Sequence, residues 1–306
     1  MISVVIPVYR SQHILPELCR RLEGALGRLG EDYEVIFAVD CSPDRSFAVL
    51  KGLAAGDRRL KPILLRKNVG YDNAVMAGLN FVRGRLVVIM DDDLQHAPED
   101  IPALLQACAA GSDVVYAGFP EKKQSWLKNA GSWVNDKVAN IILQKPGSLY
   151  LSPFKAVGRE VVDEIVKYSG PFPYIDGLIF QITSAITQIP IAHHERASGQ
   201  GGHGLLRSLR IWLNFCTTFS ILPLRASVCF GFLISAAAFL YSARVLIRRL
   251  AGGTAPEGWV SIVLGIAILG GIQLIALGIL GEYIGRTYMN INRKPQFVVK
   301  DKVNIA

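Results

Sequence analysis

The chain has 306 residues, 51% hydrophobic and 19% charged, enough for one large domain and a smaller appendage. Its formal charge of +8 comes without a dense Lys/Arg run interleaved with aromatics, which disfavours nucleic acid and points to an anionic membrane surface. Five scattered cysteines with no CxxC pair indicate neither a zinc site nor a disulfide framework.

The first residues are apolar but end at Pro7 without a basic start. They read as a buried strand over 2–8 and not as a secretory signal. Helical spacing follows at 15–29, a strand at 34–39, a helix at 45–55, a strand at 62–65 and a helix at 73–82. A strand at 86–90 opens into Asp91-Asp92-Asp93, followed by a helix at 98–110 and a strand at 113–117. This alternation predicts an α/β fold with a mostly parallel sheet covered on both faces and ligands at the carboxyl ends of its strands. Beyond it the pattern gives a helix within 120–146, an extended stretch at 148–154, helices at 157–168 and 175–187, and a closing strand at 189–193.

Residues 195–204 form a glycine-rich loop, and 205–222 an amphipathic helix suited to a membrane interface. Two uncharged stretches, 226–243 and 258–281, are each long enough to cross a bilayer. The expected division is a catalytic domain over 1–200, a loop and juxtamembrane helix over 201–225, a two-helix transmembrane hairpin over 226–285 and a tail over 286–306. An even number of spans puts both termini on one side, taken as the cytosol because no export signal is seen. Arg244, Arg248 and Arg249 at the outer turn run against the positive-inside tendency.

Several polar residues fall at strand ends. Pro7 is expected to stop the ladder of the first strand, leaving Tyr9 to line a pocket under a base. Asp40 either accepts a uracil N–H or caps the next helix; Asp44 reads as a cap. In an extended chain Asp91 and Asp93 share a face and Asp92 points away. Two carboxylates on one edge repel unless a cation joins them, and hard oxygen ligands suit Mg²⁺ or Mn²⁺. Asp176 is either a base or an N-cap of a helix beginning near Gly177. His193, His194 and Glu195 alternate faces and do not form a metal site, and His96 and His203 read as polar loop residues near a substrate.

Taken together, Val4-Val5-Ile6-Pro7-Val8-Tyr9, Asp40-Cys41-Ser42-Pro43-Asp44, Asn68-Val69-Gly70, Met90 to His96, Arg196 to Gly199, Gly281 to Arg286 and Arg293-Lys294-Pro295 resemble the family 2 (GT-A) glycosyltransferases. Within them the likeness is to the polyprenyl-phosphate enzymes related to bactoprenol glucosyltransferase and dolichyl-phosphate mannose synthase. The resemblance implies inverting transfer of a hexose-type sugar from a nucleotide sugar, UDP-linked by preference, to a polyprenyl phosphate in the bacterial inner membrane, by a homo-oligomer, a tetramer in related enzymes. It assigns Pro7, Tyr9, Asp40, Asn68, Asp91 and Asp92 to the nucleotide sugar and Asp91, Asp93 and Gln95 to the metal. It assigns Arg196 to the acceptor phosphate or the diphosphate; the chemistry of the residues themselves adds Lys155, Arg207 and Arg210 as cations for the acceptor phosphate, and Asp176, Lys155 and Arg196 are the catalytic candidates.

Two positions depart from the family pattern: Val39 replaces a first acid before Asp40, and Pro153 stands where related enzymes carry a small or acidic residue. A phosphate monoester is already largely anionic at neutral pH. Little proton abstraction is then needed, and bringing two anions together becomes the task. The rival readings are a processive polysaccharide synthase, which lacks its Gln-x-x-Arg-Trp motif here, and a non-catalytic nucleotide-sugar-binding subunit.

Overall fold

The structure, a computed structural model, describes residues 1–118, 149–191, 222–251, 258–292 and 295–305. The chain divides into two compact units, Met1–Gly202 with Arg293–Ala306, and His203–Asn292.

The first unit is built on an eight-stranded sheet. Strands β1 (Ile2–Val8) and β2 (Tyr33–Val39) are buried at every position, as apolar runs covered on both faces must be. Between them α1 (Leu15–Gly27) lays Leu15, Leu18, Leu22 and Leu26 against the sheet. The alternation continues through α2 (Ser46–Gly56), β3 (Leu60–Leu65), α3 (Tyr71–Leu79), β4 (Leu86–Ile89), α4 (Ile101–Ala109) and β5 (Val114–Gly118). It is completed by β6 (Lys155–Gly158), α5 (Arg159–Ile165), α6 (Ile175–Ile182), β7 (Ile186–Pro190) and the C-terminal β8 (Val299–Lys302). Side chains alternate across β1: Val4, Ile6 and Val8 pack with α1, α2 and α4, whereas Val5 packs with α3, α5 and α6.

The strand order is β7-β5-β6-β4-β1-β2-β3-β8. Only β6 and β8 run antiparallel to their neighbours. Strands β1 to β3 step in one direction, and β4 lies on the other side of β1. The crevice at the carboxyl ends of β1 and β4 is therefore the point where the order reverses, the place where open α/β sheets bind ligands.

Four expectations are corrected. Pro7 does not end β1, which pairs with β2 through Val8. Val5 O accepts from β4 and Val8 O from the β2 side, so by alternation position 7 faces β4, beyond its last paired residue, and the missing N–H breaks no ladder bond. The helix expected at 157–168 starts only at Arg159, because 155–158 pair with both β4 and β5. The helix expected at 175–187 ends at Ile182. There Thr183 Oγ1 donates to Asp113 and accepts the Ala185 N–H, turning the chain so that pairing with β5 starts at Ile186 and not at 189, and β7 spans Ile186–Pro190. The tail carries a strand that the sequence reading lacks. It is held by β3 and by Asn304, whose amide donates to the Ala54 and Leu60 carbonyls.

The second unit contains α7 (Leu222–Leu250) and α8 (Trp259–Ile291). Among the described residues one stretch is long and apolar enough to cross a membrane: Ile268–Ile291, with mean hydropathy 1.6 and none of it buried. In α7 the apolar stretch is shorter, Ser227–Tyr241, so only the second of the two expected spans has a counterpart of spanning length. The elements expected at 120–146 and 195–204, and that expected at 205–222 up to residue 221, lie outside the described residues.

Candidate active site

At the reversal point the β1 and β4 ends are tied together. Asp92 accepts from the Ser11 hydroxyl and, at 3.3 Å, from the Tyr9 N–H. It therefore anchors the loop after β1, where Arg10 adopts φ 60°. The Tyr9 ring is left 44% exposed at this rim. Strict alternation does not govern Asp91 to Asp93, because β4 stops at Ile89 and Leu94 turns the chain with φ 59°.

Asp91 Oδ1 is buried with no hydrogen-bond partner. Burial, then repulsion from Asp93, pushes the Asp91 carboxyl up to about 6, while the Tyr71 hydroxyl bonds to it and opposes the rise. Burial likewise raises Asp92 to about 6 against the hydrogen bonds from Ser11 and Tyr9. Asp93 is buried and accepts the Gln95 N–H at 3.1 Å. His96 is not an open loop residue: it is buried and stacks on Phe154 with ring centroids 5.2 Å apart.

Asp40 sits at the end of β2. Its two oxygens accept the Val69 N–H at 2.7 Å and the Gly70 N–H at 2.9 Å. The carboxylate thus shapes the β3–α3 loop, where Gly70 takes φ 88° at the helix entrance, a conformation suited to glycine. It caps no helix at α2; Asp44 does so through the Ser46 N–H. Each Asp40 oxygen keeps a second lone pair, although the residue is only 5% exposed. Asn68 is exposed, its amide 3.4 Å from the Asp40 carbonyl, and Pro7 is buried within β1.

Lys155 and Asp176, named separately from the sequence, form one ion pair. Lys155 is 3% exposed and lies in register with Ile89, two positions before Asp91. Its ammonium sits 5.0 Å from the centre of the Tyr116 ring, and the Tyr116 hydroxyl donates to Asp176 at 2.8 Å. In this arrangement Lys155 is paired with a protein carboxylate. Asp176 is not the N-cap of α6 either; that position is Tyr174. Tyr116, Asp72 and Ser11 were missed. The available signals were a polar-tipped residue inside a buried strand, and an acid and a hydroxyl within two or three residues of strand or loop ends.

An orphaned buried carboxylate oxygen beside a second carboxylate is an arrangement that a hard divalent cation satisfies, so Asp91 and Asp93 fit the expected Mg²⁺ or Mn²⁺. Among the described residues no three His, Cys, Asp or Glu side chains form a complete cage. Such a site leaves coordination positions for ligand oxygens. Arg196, Arg207 and Arg210 lie outside the described residues.

Comparison with known proteins agrees with this picture. The family described as glycosyl transferase family 2 matches residues 3–166. The undecaprenyl-phosphate 4-deoxy-4-formamido-L-arabinose transferase of Edwardsiella ictaluri is 32% identical over 305 residues, covering 99% of this chain and 94% of the relative. The Pseudomonas aeruginosa protein of the same name is 33% identical over 309 residues, covering 98% and 89%. Among solved structures, glucosyl-3-phosphoglycerate synthase from Mycobacterium tuberculosis, in complex with Mn²⁺ and UDP-glucose, superposes with a TM-score of 0.53 at 17% identity. It covers 71% of this chain and 77% of that one, a likeness of fold.

Proposed function

From the premise that the chain belongs to glycosyl transferase family 2, we propose that it transfers a sugar from a UDP-sugar to polyprenyl phosphate at a membrane, with inversion at the anomeric carbon. The observation that carries this reading is the orphaned Asp91 oxygen beside Asp93 at the β1/β4 crevice. Full-length similarity to undecaprenyl-phosphate sugar transferases supports the choice of acceptor.

In this reading Tyr9 offers its exposed ring to the base, Asn68 and the Asp40 loop border the nucleotide, and Asp91 and Asp93, with Gln95, hold Mg²⁺ or Mn²⁺. The bound cation offsets charge building on the departing diphosphate. Asp92 fixes the β1 loop against the β4 end. Lys155 supplies a buried positive charge near the reacting groups, and Asp176 orients its ammonium. Arg196, Arg207 and Arg210 are assigned to the acceptor phosphate. Because that phosphate is already anionic, positioning and charge screening carry the catalysis more than a general base does.

The membrane arrangement follows from parity. Strand β8 returns to the same sheet that begins with β1, so if α8 crosses a bilayer, another segment must cross back. Helix α7, with 29 residues and so about 44 Å long at 1.5 Å per residue, carries the apolar stretch Ser227–Tyr241 and is the proposed partner in a hairpin, with the catalytic unit cytosolic.

The test incubates purified protein with polyprenyl phosphate, Mn²⁺ and a set of labelled donors that includes UDP-glucose and UDP-4-deoxy-4-formamido-L-arabinose. A labelled lipid from which mild acid releases the labelled sugar is the expected product, and the donor used separates a hexose from a formamido-pentose. No labelled lipid with any donor sinks the proposal in favour of a non-catalytic subunit. A polymer would favour a processive synthase.

A further inference from the structure

Helix α6 carries Asp176 in its first turn, yet its own N-cap, Tyr174, makes no side-chain cap bond. The missing acceptor comes from another helix. Asp72, in the first turn of α3, accepts the Ile175 N–H through Oδ1 at 3.2 Å. The adjoining Asn73 amide reaches the Pro171 carbonyl at 3.5 Å, so α3 holds the strand of chain leading into α6 at two points.

The capped residue is the immediate neighbour of Asp176, whose carboxylate holds the Lys155 ammonium and the Tyr116 hydroxyl. Asp72 also feels Asp176 as a repelling charge and Lys155 as an attracting one, and Lys155 acts in the same way on Asp91. Asp176 is the carboxylate with which Lys155 forms its ion pair, and the first turn of α6 holds it there. An uncapped first turn frays, because its N–H groups lose their acceptor. Asp176 would then leave Lys155.

We propose that Asp72 is a positioning residue for the transfer reaction: by capping α6 from α3 it keeps Asp176 on Lys155. The inference rests on the sugar-transfer reading of the site, and nothing in the sequence motifs marks the residue. It predicts that α6 exchange and turnover follow the hydrogen-bond acceptor at position 72, since an asparagine Oδ1 accepts the same N–H.

The experiment compares Asp72→Ala and Asp72→Asn in the full-length, detergent-solubilised protein. Two readouts are taken below the melting temperature: hydrogen–deuterium exchange across 175–182, and kcat and donor KM for lipid-linked sugar formation. With Asp72→Ala, exchange in α6 should speed up and kcat should fall about fivefold, the effect of a cap worth roughly 1 kcal/mol. Asp72→Asn should restore both towards wild type. Three results would overturn the inference: unchanged α6 exchange in Asp72→Ala, faster exchange with unchanged kcat, or Asp72→Asn behaving like Asp72→Ala. If wild type transfers no sugar, the functional reading fails by itself, and the exchange comparison still decides whether Asp72 caps α6.

Discussion

Lys155→Met keeps the length and much of the volume of the side chain but removes the buried cation paired with Asp176. The ammonium it deletes is 3% exposed and paired with Asp176. Breaking a buried pair from one side costs about 3–5 kcal/mol, because the surviving charge is left without compensation. In a folded unit of this size each kcal/mol moves Tm by roughly 2–4 °C, so Lys155→Met should lower Tm by about 10 °C. The double variant Lys155→Met/Asp176→Asn removes both charges, leaves Tyr116 an amide oxygen to donate to, and should regain most of the loss. Thermal melts of the solubilised protein followed by circular dichroism give both values, and sugar transfer measured in parallel separates folding from catalysis. The double variant should be folded and nearly inactive. A single variant melting within about 2 °C of wild type, or a double variant no more stable than the single, would refute the account of this pair.

Asp91→Asn should abolish Mn²⁺-dependent UDP binding, measured by calorimetry, without lowering Tm, since it neutralises a buried carboxylate whose Oδ1 has no partner; retained Mn²⁺-dependent binding would remove Asp91 from the metal site. Gly78→Ala should destabilise the protein by about 1–3 kcal/mol in a urea titration, because an added Cβ meets the buried Val5 Cγ1 where α3 crosses β1; a neutral effect would mean that the helix can lift away freely. Burial, partly offset by the Ile175 N–H, raises Asp72 to about 6 from an ordinary value of 3.8. The folded protein therefore holds that proton more tightly than the unfolded chain, and stability is lost as pH rises from about 4 to 6. Asp72→Asn should accordingly melt higher than wild type at pH 7.5, with a clearly smaller offset at pH 4.5. An equal offset at both pH values would place the effect elsewhere.

The α/β alternation through β5 and the three aspartates after β4 were legible because buried parallel strands need unbroken apolar runs and because a strand's end is marked by its first polar residue. Tyr9, Asp91 and Asp93 became candidates for the same reason: each follows a strand by a few residues. Strand β6 was not legible. It has four residues, one of them a lysine, and it is a strand only because it fits between β4 and β5. The end of α6 was set by Thr183 bonding to Asp113, 70 positions away, which no local window contains.

By itself the sequence determined which segments could be buried and where charged groups had to emerge from them. Tertiary structure alone decided who partners whom. It joined Lys155 to Asp176, turned Asp40 inward to the Val69 and Gly70 N–H groups, sent Asp92 back to β1 and placed Asp72 at the head of α6. The physical reason is that burial follows from a residue's own chemistry and its near neighbours. A hydrogen bond or ion pair depends on the position of a second group, and the fold sets that position across tens of residues of chain.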